Sequence, residues 1–160
     1  MTQKEIDKYF LQKTIQLALE NIHVGKGGPF AALIVKNNQI IAEGTNLVTS
    51  TQDPTAHAEI TAIRKACNNL NHFQLEGCTI YSSCEPCPMC LGAIYWARPQ
   101  RLVFAADKKQ AAAADFDDDF IYQEMNLEYD KRYLKTQHIE IESANSPFEQ
   151  WKALENKIKY

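Results

Sequence analysis

The sequence predicts an α/β protein: a three-layer α/β/α sandwich around a mixed five-stranded sheet. Three observations carry that prediction. Apolar runs of strand length alternate with segments of helical periodicity. Several of the helical segments begin beside a proline, where the missing amide costs a helix nothing. The 160 residues, 45% of them hydrophobic, suffice for one well-formed core and are too few for two ordinary domains, so residues 1–160 are expected to form a single domain.

The elements follow in order. Thr2 and Glu5 form a capping box, and Leu11, Ile15, Ala18 and Ile22 recur at helical spacing, so a first helix runs to about Val24 and ends at Gly25. Gly25-Lys26-Gly27-Gly28-Pro29 is a loop that lacks the pattern of a phosphate-binding loop. Ala31–Val35 and Ile40–Glu43 read as the strands of a hairpin turned at Lys36-Asn37-Asn38-Gln39. Asp53 as cap and Pro54 at the first position start a helix through His57, Ile60, Ile63 and Ala66 to about Leu70. Cys78–Ser83 is a strand, and Glu85-Pro86 starts a helix to about Trp96. Arg101–Ala106 is a strand parallel to it, and His138–Glu142 a weaker fifth. Ser146-Pro147-Phe148-Glu149 is a capping box that opens a last helix, with Phe148, Trp151, Leu154 and Ile158 along one face. No internal repeat, low-complexity tract or linker interrupts the series.

Charge and cysteine content narrow the function classes. A net charge of −3 weighs against a polyanion as the main partner. Five cysteines are an odd number, and two assigned to a metal leave Cys67, Cys78 and Cys84 without obvious partners, which fits a reducing cytoplasm. Met1–Asp7 has no signal-peptide apolar region, and the longest apolar run, Phe30–Val35, is too short to span a bilayer. A soluble intracellular protein is expected.

The chemistry sits in His57-Ala58-Glu59 and Pro86-Cys87-Pro88-Met89-Cys90. One imidazole and two thiolates suit zinc with a fourth position open to water. Both motifs fall on expected first turns of helices, where the positive end of the helix dipole stabilises thiolates. This arrangement resembles the H-x-E…P-C-x-x-C signature of zinc-dependent nucleobase deaminases. In such a site zinc lowers the pKa of its water and supplies hydroxide, while Glu59 takes the water proton and passes protons to the ring nitrogen and the departing amine. One competing arrangement adds Cys84 to make a closed structural Cys3His site. It would leave Glu59 without a role and turn three thiols inward. An iron–sulfur cluster lacks its fourth cysteine. A zinc-stabilised binding protein without activity is the remaining alternative, and the intact Glu59 speaks against it. The expectation is an open site with Cys84 outside it, small and partly buried at a strand end.

Thr55-Ala56-His57-Ala58-Glu59-Ile60 and Ser83-Cys84-Glu85-Pro86-Cys87-Pro88-Met89-Cys90-Leu91-Gly92-Ala93-Ile94 resemble the cytidine-deaminase-like superfamily. Its branches include cytosine deaminases, transfer-RNA adenosine deaminases and bacterial guanine deaminases, so these motifs indicate the chemistry and not the base. Four further segments resemble the short bacterial guanine deaminases over essentially the full length. They are Gly27-Gly28-Pro29-Phe30, Ala93-Ile94-Tyr95-Trp96-Ala97-Arg98-Pro99, Phe116-Asp117-Asp118-Asp119-Phe120-Ile121-Tyr122, and Ser146-Pro147-Phe148 through Tyr160. The resemblance implies hydrolysis of guanine to xanthine and ammonia, zinc hydroxide attacking C2. The alternative is a transfer-RNA adenosine deaminase, or a deaminase of another small base or aminotriazine.

Residue by residue, the resemblance assigns His57, Cys87 and Cys90 to one zinc per subunit and Glu59 to proton transfer. Asp118 is a second catalytic group near the leaving amine, and Phe30, Asn46, Ala58, Trp96 and Tyr160 bind substrate. It also implies a homodimer exchanging residues 120–160, so that Tyr160 caps a pocket. Charge, cysteine usage and the short apolar runs add the expectation of a cytoplasmic protein with no membrane or nucleic-acid partner. Read without the resemblance, Asn46 is either an amide for a base edge or a loop residue stabilising its own turn. Phe30 and Trp96 are either pocket walls or core, and Asp118 is either functional or part of a solvated acidic stretch. Tyr160 is either ordered by the preceding helix or frayed. Glu85 either hydrogen-bonds near the metal or complements a helix start, and His23, His72 and His138 read as surface or structural groups.

Overall fold

Thr2 caps the first helix, α1 (Gln3–His23), through the expected box: the Glu5 amide donates to Thr2 Oγ1 and the Thr2 amide to Glu5 Oε2. The computed structural model describes residues 1–116 and 118–160. Asp117, part of the Phe-Asp-Asp segment quoted above, lies outside the described residues. The chain divides into two units, Met1–Asp119 and Phe120–Tyr160, each described by itself.

In the first unit, β1 (Ala31–Lys36) and β2 (Gln39–Thr45) form the hairpin. Asn37 and Asn38 have φ values of 50° and 62°, the left-handed pair that a two-residue hairpin turn requires. A single turn, α2 (Val48–Thr51), precedes α3 (Ala58–Leu70). Then follow β3 (Thr79–Cys84), α4 (Pro88–Ala97), β4 (Arg101–Ala106) and the short α5 (Lys108–Ala112). The strands lie in the order β2-β1-β3-β4, with β1 antiparallel to both neighbours and β3 parallel to β4.

Alternation along the strands feeds two cores. Ala32, Ile34 and Ile80 pack with Ala58, Ala62 and Ala66 of α3 and Ile94 and Ala97 of α4. Leu33, Val35 and Tyr81 pack with Phe10 of α1 on the other face. Helices on both faces of one sheet make the three layers. Gly44 of β2 lets α3 approach closely: a Cβ there would stand 2.2 Å from the Ala58 carbonyl oxygen and 2.4 Å from the Ala62 nitrogen.

The structure corrects the sequence reading in four places. The sheet has four strands among the described residues, not five: 138–141 carry no regular structure and Glu142–Asn145 is a 3-10 turn. The alternating Ile139 and Ile141 have the period of a strand. A strand, however, is held by ladder hydrogen bonds to a neighbour and not by its pattern. α1 buries Phe10, Thr14, Ala18 and Asn21, while Ile15 and Ile22 stay 44% and 47% exposed. Phe10 stacks on Tyr81 with centroids 5.0 Å apart. Burying that ring is worth about 1.5–3 kcal/mol, as for an isoleucine, and the aromatic pair with Tyr81 adds about 0.5–1.5 kcal/mol that the aliphatics of the expected face could not supply.

The third correction concerns helix starts: α3 begins at Ala58 and not at Pro54, and α4 begins at Pro88, capped by Cys87, and not at Pro86. Asp53 instead closes an Asx turn, its Oδ1 accepting from the Thr55 amide at 2.8 Å and the Thr55 hydroxyl at 2.7 Å. A helix, α6 (Asp119–Met125), begins on the last residue of the first unit, and the fourth correction lies in the second unit, at α7 (Ser146–Ala153). The α7 cap is Asn145, without the expected capping box. Lys157 Nζ donates to the Lys152 and Leu154 carbonyls and closes the helix end, so no continuous helical face joins Phe148 to Ile158. No described residue of Phe120–Tyr160 is buried. Among the described residues no helix is long and apolar enough to cross a membrane.

Candidate active site

His57 and Cys87 are both helix N-caps with extended backbone (ψ 158° and 168°), at the starts of α3 and α4. Cys90 lies one turn into α4, and its amide donates to Cys87 Sγ at 3.5 Å. His57 Nδ1 stands 3.5 Å from both Cys87 Sγ and Cys90 Sγ, and the three ligand atoms lie within 4.8 Å of one another. Tetrahedral zinc bound by nitrogen and sulfur sets its donors about 3.5–3.8 Å apart. The donor set fits the ion in both chemistry and spacing. Cys84 lies outside this group, buried at the end of β3, with Sγ 3.8 Å from the Asp107 carbonyl oxygen. Burial pushes its thiol up to about 11, which suits a neutral structural cysteine.

Charge in the cluster is finely shared. A hydrogen bond from Cys90, then one from His57, holds the Cys87 thiol down to about 4. The Cys90 thiol is pushed up, first by that same hydrogen bond and then by burial. Hydrogen bonding to Cys87 raises the His57 imidazole against the opposing effect of burial. A thiolate is thus available in the cluster at neutral pH, as a zinc ligand must be.

Glu59 sits on the first turn of α3, 6% exposed, and burial raises its carboxyl. Ser82 Oγ donates to Glu59 Oε1 at 2.9 Å. The sequence reading missed Ser82. Strand alternation could have found it, because residue 82 shares the α3-facing side of β3 with Ile80. Glu85 accepts from the Lys108 amide at 3.1 Å, so it complements the start of α5. The Asp107 and Gln110 capping box behind it was also legible and missed.

Asn46 is 7% exposed at the end of β2. Its Oδ1 accepts from the Gly28 and Val48 amides at 3.2 and 3.3 Å, and its backbone amide donates to the Phe30 carbonyl at 3.0 Å. The next residue, Leu47, donates to the Ala56 carbonyl, which ties Asn46 to the loop before His57. Gly27 is required by this close approach, since a Cβ there would lie 2.2 Å from the Asn46 carbonyl oxygen. Asn21 of α1, another residue without a sequence signal, donates to the Gly28 and Asn46 carbonyls at 2.9 Å each.

Phe30 meets Phe116 edge-on with centroids 4.9 Å apart. Two residues beyond, Asp118 is half-buried and close enough to interact electrostatically with Cys87 and His57. Burial, followed by the Cys87 charge, raises its carboxyl. Ala58 is fully buried. Trp96 lies on α4, 63% exposed, and Tyr160 ends the second unit, 69% exposed. The first unit therefore brings His57, Glu59, Cys87, Cys90 and Asp118 together, with Asn46 and Phe30 bonded to each other beside them.

Residues 4–106 match the family described as the cytidine and deoxycytidylate deaminase zinc-binding region. The chain is 52% identical over 151 residues to a guanine deaminase of Bacillus subtilis (strain 168), covering 94% of this chain and 97% of that protein. An X-ray structure of guanine deaminase from Bacillus subtilis is similar with a TM-score of 0.94 and 51% identity, over 96% of this chain and 98% of that one. A transfer-RNA-specific adenosine deaminase of Aquifex aeolicus (strain VF5) is 43% identical over 103 residues, 64% of this chain and 68% of that protein. The matched region carries both motifs on the helix starts that bring their donors together, and the chain belongs to the cytidine and deoxycytidylate deaminase zinc-binding family.

Proposed function

We propose that this chain is a zinc-dependent guanine deaminase, converting guanine and water to xanthine and ammonia. The observation that carries the choice of base is the reach of the similarity. Likeness to the guanine deaminase runs over 94% of the chain, tail included, whereas likeness to the transfer-RNA enzyme covers 64%. Ammonia release measured with guanine, adenine, cytosine and a stem-loop RNA tests the assignment. Guanine is expected to be the substrate. Turnover of the RNA with none of guanine overturns it.

His57, Cys87 and Cys90 would hold the zinc. When bound, the ion lowers the pKa of a coordinated water so that a nucleophile exists near neutral pH. Glu59 accepts the proton of the attacking water and passes it to the ring nitrogen beside C2 as the new carbon–oxygen bond forms. It then takes the remaining proton of the hydroxyl now on C2 and delivers it to the exocyclic nitrogen, so the carbon–oxygen double bond forms as the carbon–nitrogen bond breaks with ammonia as leaving group. A carboxyl whose pKa is raised by burial suits a group that must both take and give a proton. Asp118 receives a hydrogen bond from the departing amine, a role supported by its partial burial and its electrostatic reach to the ligands.

Asn46 reads the base. Its Oδ1 is committed to the Gly28 and Val48 amides, which leaves its amide hydrogens for the acceptor edge of a purine. Phe30, braced by Phe116, offers its ring to the base face, with Ala58 and Trp96 completing the wall. The protein acts as a homodimer in which residues 120–160 are exchanged and Tyr160 caps the neighbouring pocket. The supporting observation is that this segment buries none of its described residues. Five unbridged cysteines suit a reducing cytoplasm.

A further inference from the structure

We infer that Ser82 is a positioning residue for the proton shuttle: its hydroxyl anchors Oε1 of Glu59 and so fixes the orientation of the carboxylate. The inference rests on the reading of the chain as a deaminase. Ser82 is 2% exposed in the middle of β3, with Ala32 opposite it on β1 and Phe104 opposite it on β4. A hydroxyl in such a place costs stability unless it is hydrogen-bonded. Among the described residues its hydrogen-bond partner is Glu59 Oε1, at 2.9 Å.

The neighbouring serine shows that the placement is specific. Ser83 Oγ accepts from the Ala31 amide at 3.0 Å and so closes backbone between β3 and the start of β1. Two consecutive serines thus do different work. One satisfies the main chain, and the other faces the carboxylate. Glu59 is a flexible side chain at the first turn of α3, and its burial supplies no geometry of its own. Its carboxylate is held by hydrogen bonds with its own backbone, Ser82 and Cys90, and Ser82 is the one of these partners outside both α3 and the metal cluster. A proton carrier that serves a water, a ring nitrogen and a leaving amine in turn needs one fixed arrangement, because misplacement by about 1 Å costs on the order of 100-fold in rate.

The test is steady-state kinetics and zinc content of Ser82→Ala, Ser82→Thr and Ser83→Ala. Ser82→Ala is expected to lose about 10- to 100-fold in kcat, with KM within twofold of wild type and a full zinc complement. Ser82→Thr, which keeps the hydroxyl, is expected to recover most of that loss. Ser83→Ala is expected to lower the melting temperature without the selective effect on kcat. In a double-mutant cycle, Ser82→Ala placed on Glu59→Gln is expected to cost nothing further, because a residue acting through Glu59 cannot add to its loss. Unchanged kcat in Ser82→Ala, loss of zinc with parallel changes in kcat and KM, or an additive cycle would each overturn the proposal. If Ser82→Ala does not fold, Ser82→Cys takes its place, being of similar shape with a weak donor, and wild-type kcat in it is the overturning result. Absence of turnover of guanine by the wild type refutes the assigned base alone. The same comparisons are then read on whichever base or RNA is deaminated.

Discussion

The two units of this chain differ in what their apolar residues accomplish. In Met1–Asp119 they close two cores on opposite faces of a sheet, and even the acidic Glu59 is buried. In Phe120–Tyr160 the large apolar side chains, Phe148, Trp151, Leu154 and Ile158 among them, remain exposed. A segment that buries none of its described residues cannot draw stability from a core of its own. The candidate metal site therefore lies in the framework, the unit that has the cores, and the tail is the segment proposed above to exchange between subunits. Changes in the framework should alter metal, rate or folding. Changes in the tail should alter assembly and substrate capture while metal and fold persist.

The largest expected effect tests the framework. Glu59→Gln should lower kcat by about 10²- to 10⁴-fold while metal analysis still finds zinc. Equal activity in the two proteins would remove the carboxylate from the chemistry. Cys87→Ser and chelator treatment should instead remove the metal and the activity together, read by zinc content and ammonia release. Next is Gly44→Ala. Its new Cβ meets backbone of α3 and not a movable side chain, so a loss of about 3 kcal/mol or more is expected in denaturant unfolding. A wild-type midpoint would mean that α3 slides freely on β2.

The tail changes come third. Deleting Tyr160 should lower kcat/KM by about tenfold, of the order of one lost substrate contact, with zinc content and melting temperature unchanged. Unaltered turnover would end its capping role. Trp151→Ser should shift size-exclusion elution towards a monomer, and an unshifted dimer would break the contrast drawn here.

The smallest effect lies on the sheet face away from the zinc ligands. Arg101 binds Asp7 through both nitrogens, at 3.2 and 2.7 Å, and Tyr81 donates to Asp7 at 2.6 Å. The Arg101 hydrogen bond holds the Asp7 carboxyl down to about 2, below its value of about 3.9 in an unfolded chain. Its contribution is therefore complete above about pH 4 and lost as pH falls towards 2. Because Arg101 is partly exposed, about 1 kcal/mol is expected. Unfolding of wild type and Asp7→Asn at pH 5 and 2.5 measures it. An equal gap between the two proteins at both pH values would exclude the linkage.

Much of the framework was legible beforehand. Asn37 and Asn38 announced their hairpin because asparagine tolerates left-handed backbone, and Arg101–Ala106 has a strand's composition and length. Three donors of zinc chemistry and a glutamate two residues past the histidine were likewise readable, because metal affinity is a property of residue type and local spacing. Helix starts were less legible. Asp53-Pro54 satisfies every local rule for a cap, yet Asp53 spends its carboxylate on Thr55 and the helix waits for His57. That choice places the imidazole on an extended residue, where it can turn towards the thiols.

The sequence by itself determined the three candidate zinc donors, the glutamate two residues past the histidine and the alternation of strands with helices, since each depends on residue type and local spacing. Only the tertiary structure decided that β1 lies between β2 and β3, that α1 docks through Phe10 and not Ile15, and that 138–142 forms no fifth strand. It alone brought Ser82 to Glu59. Each of these outcomes is a competition among partners distant in the chain. Burial and hydrogen bonding settle it by what is adjacent in space, which periodicity along the sequence does not specify.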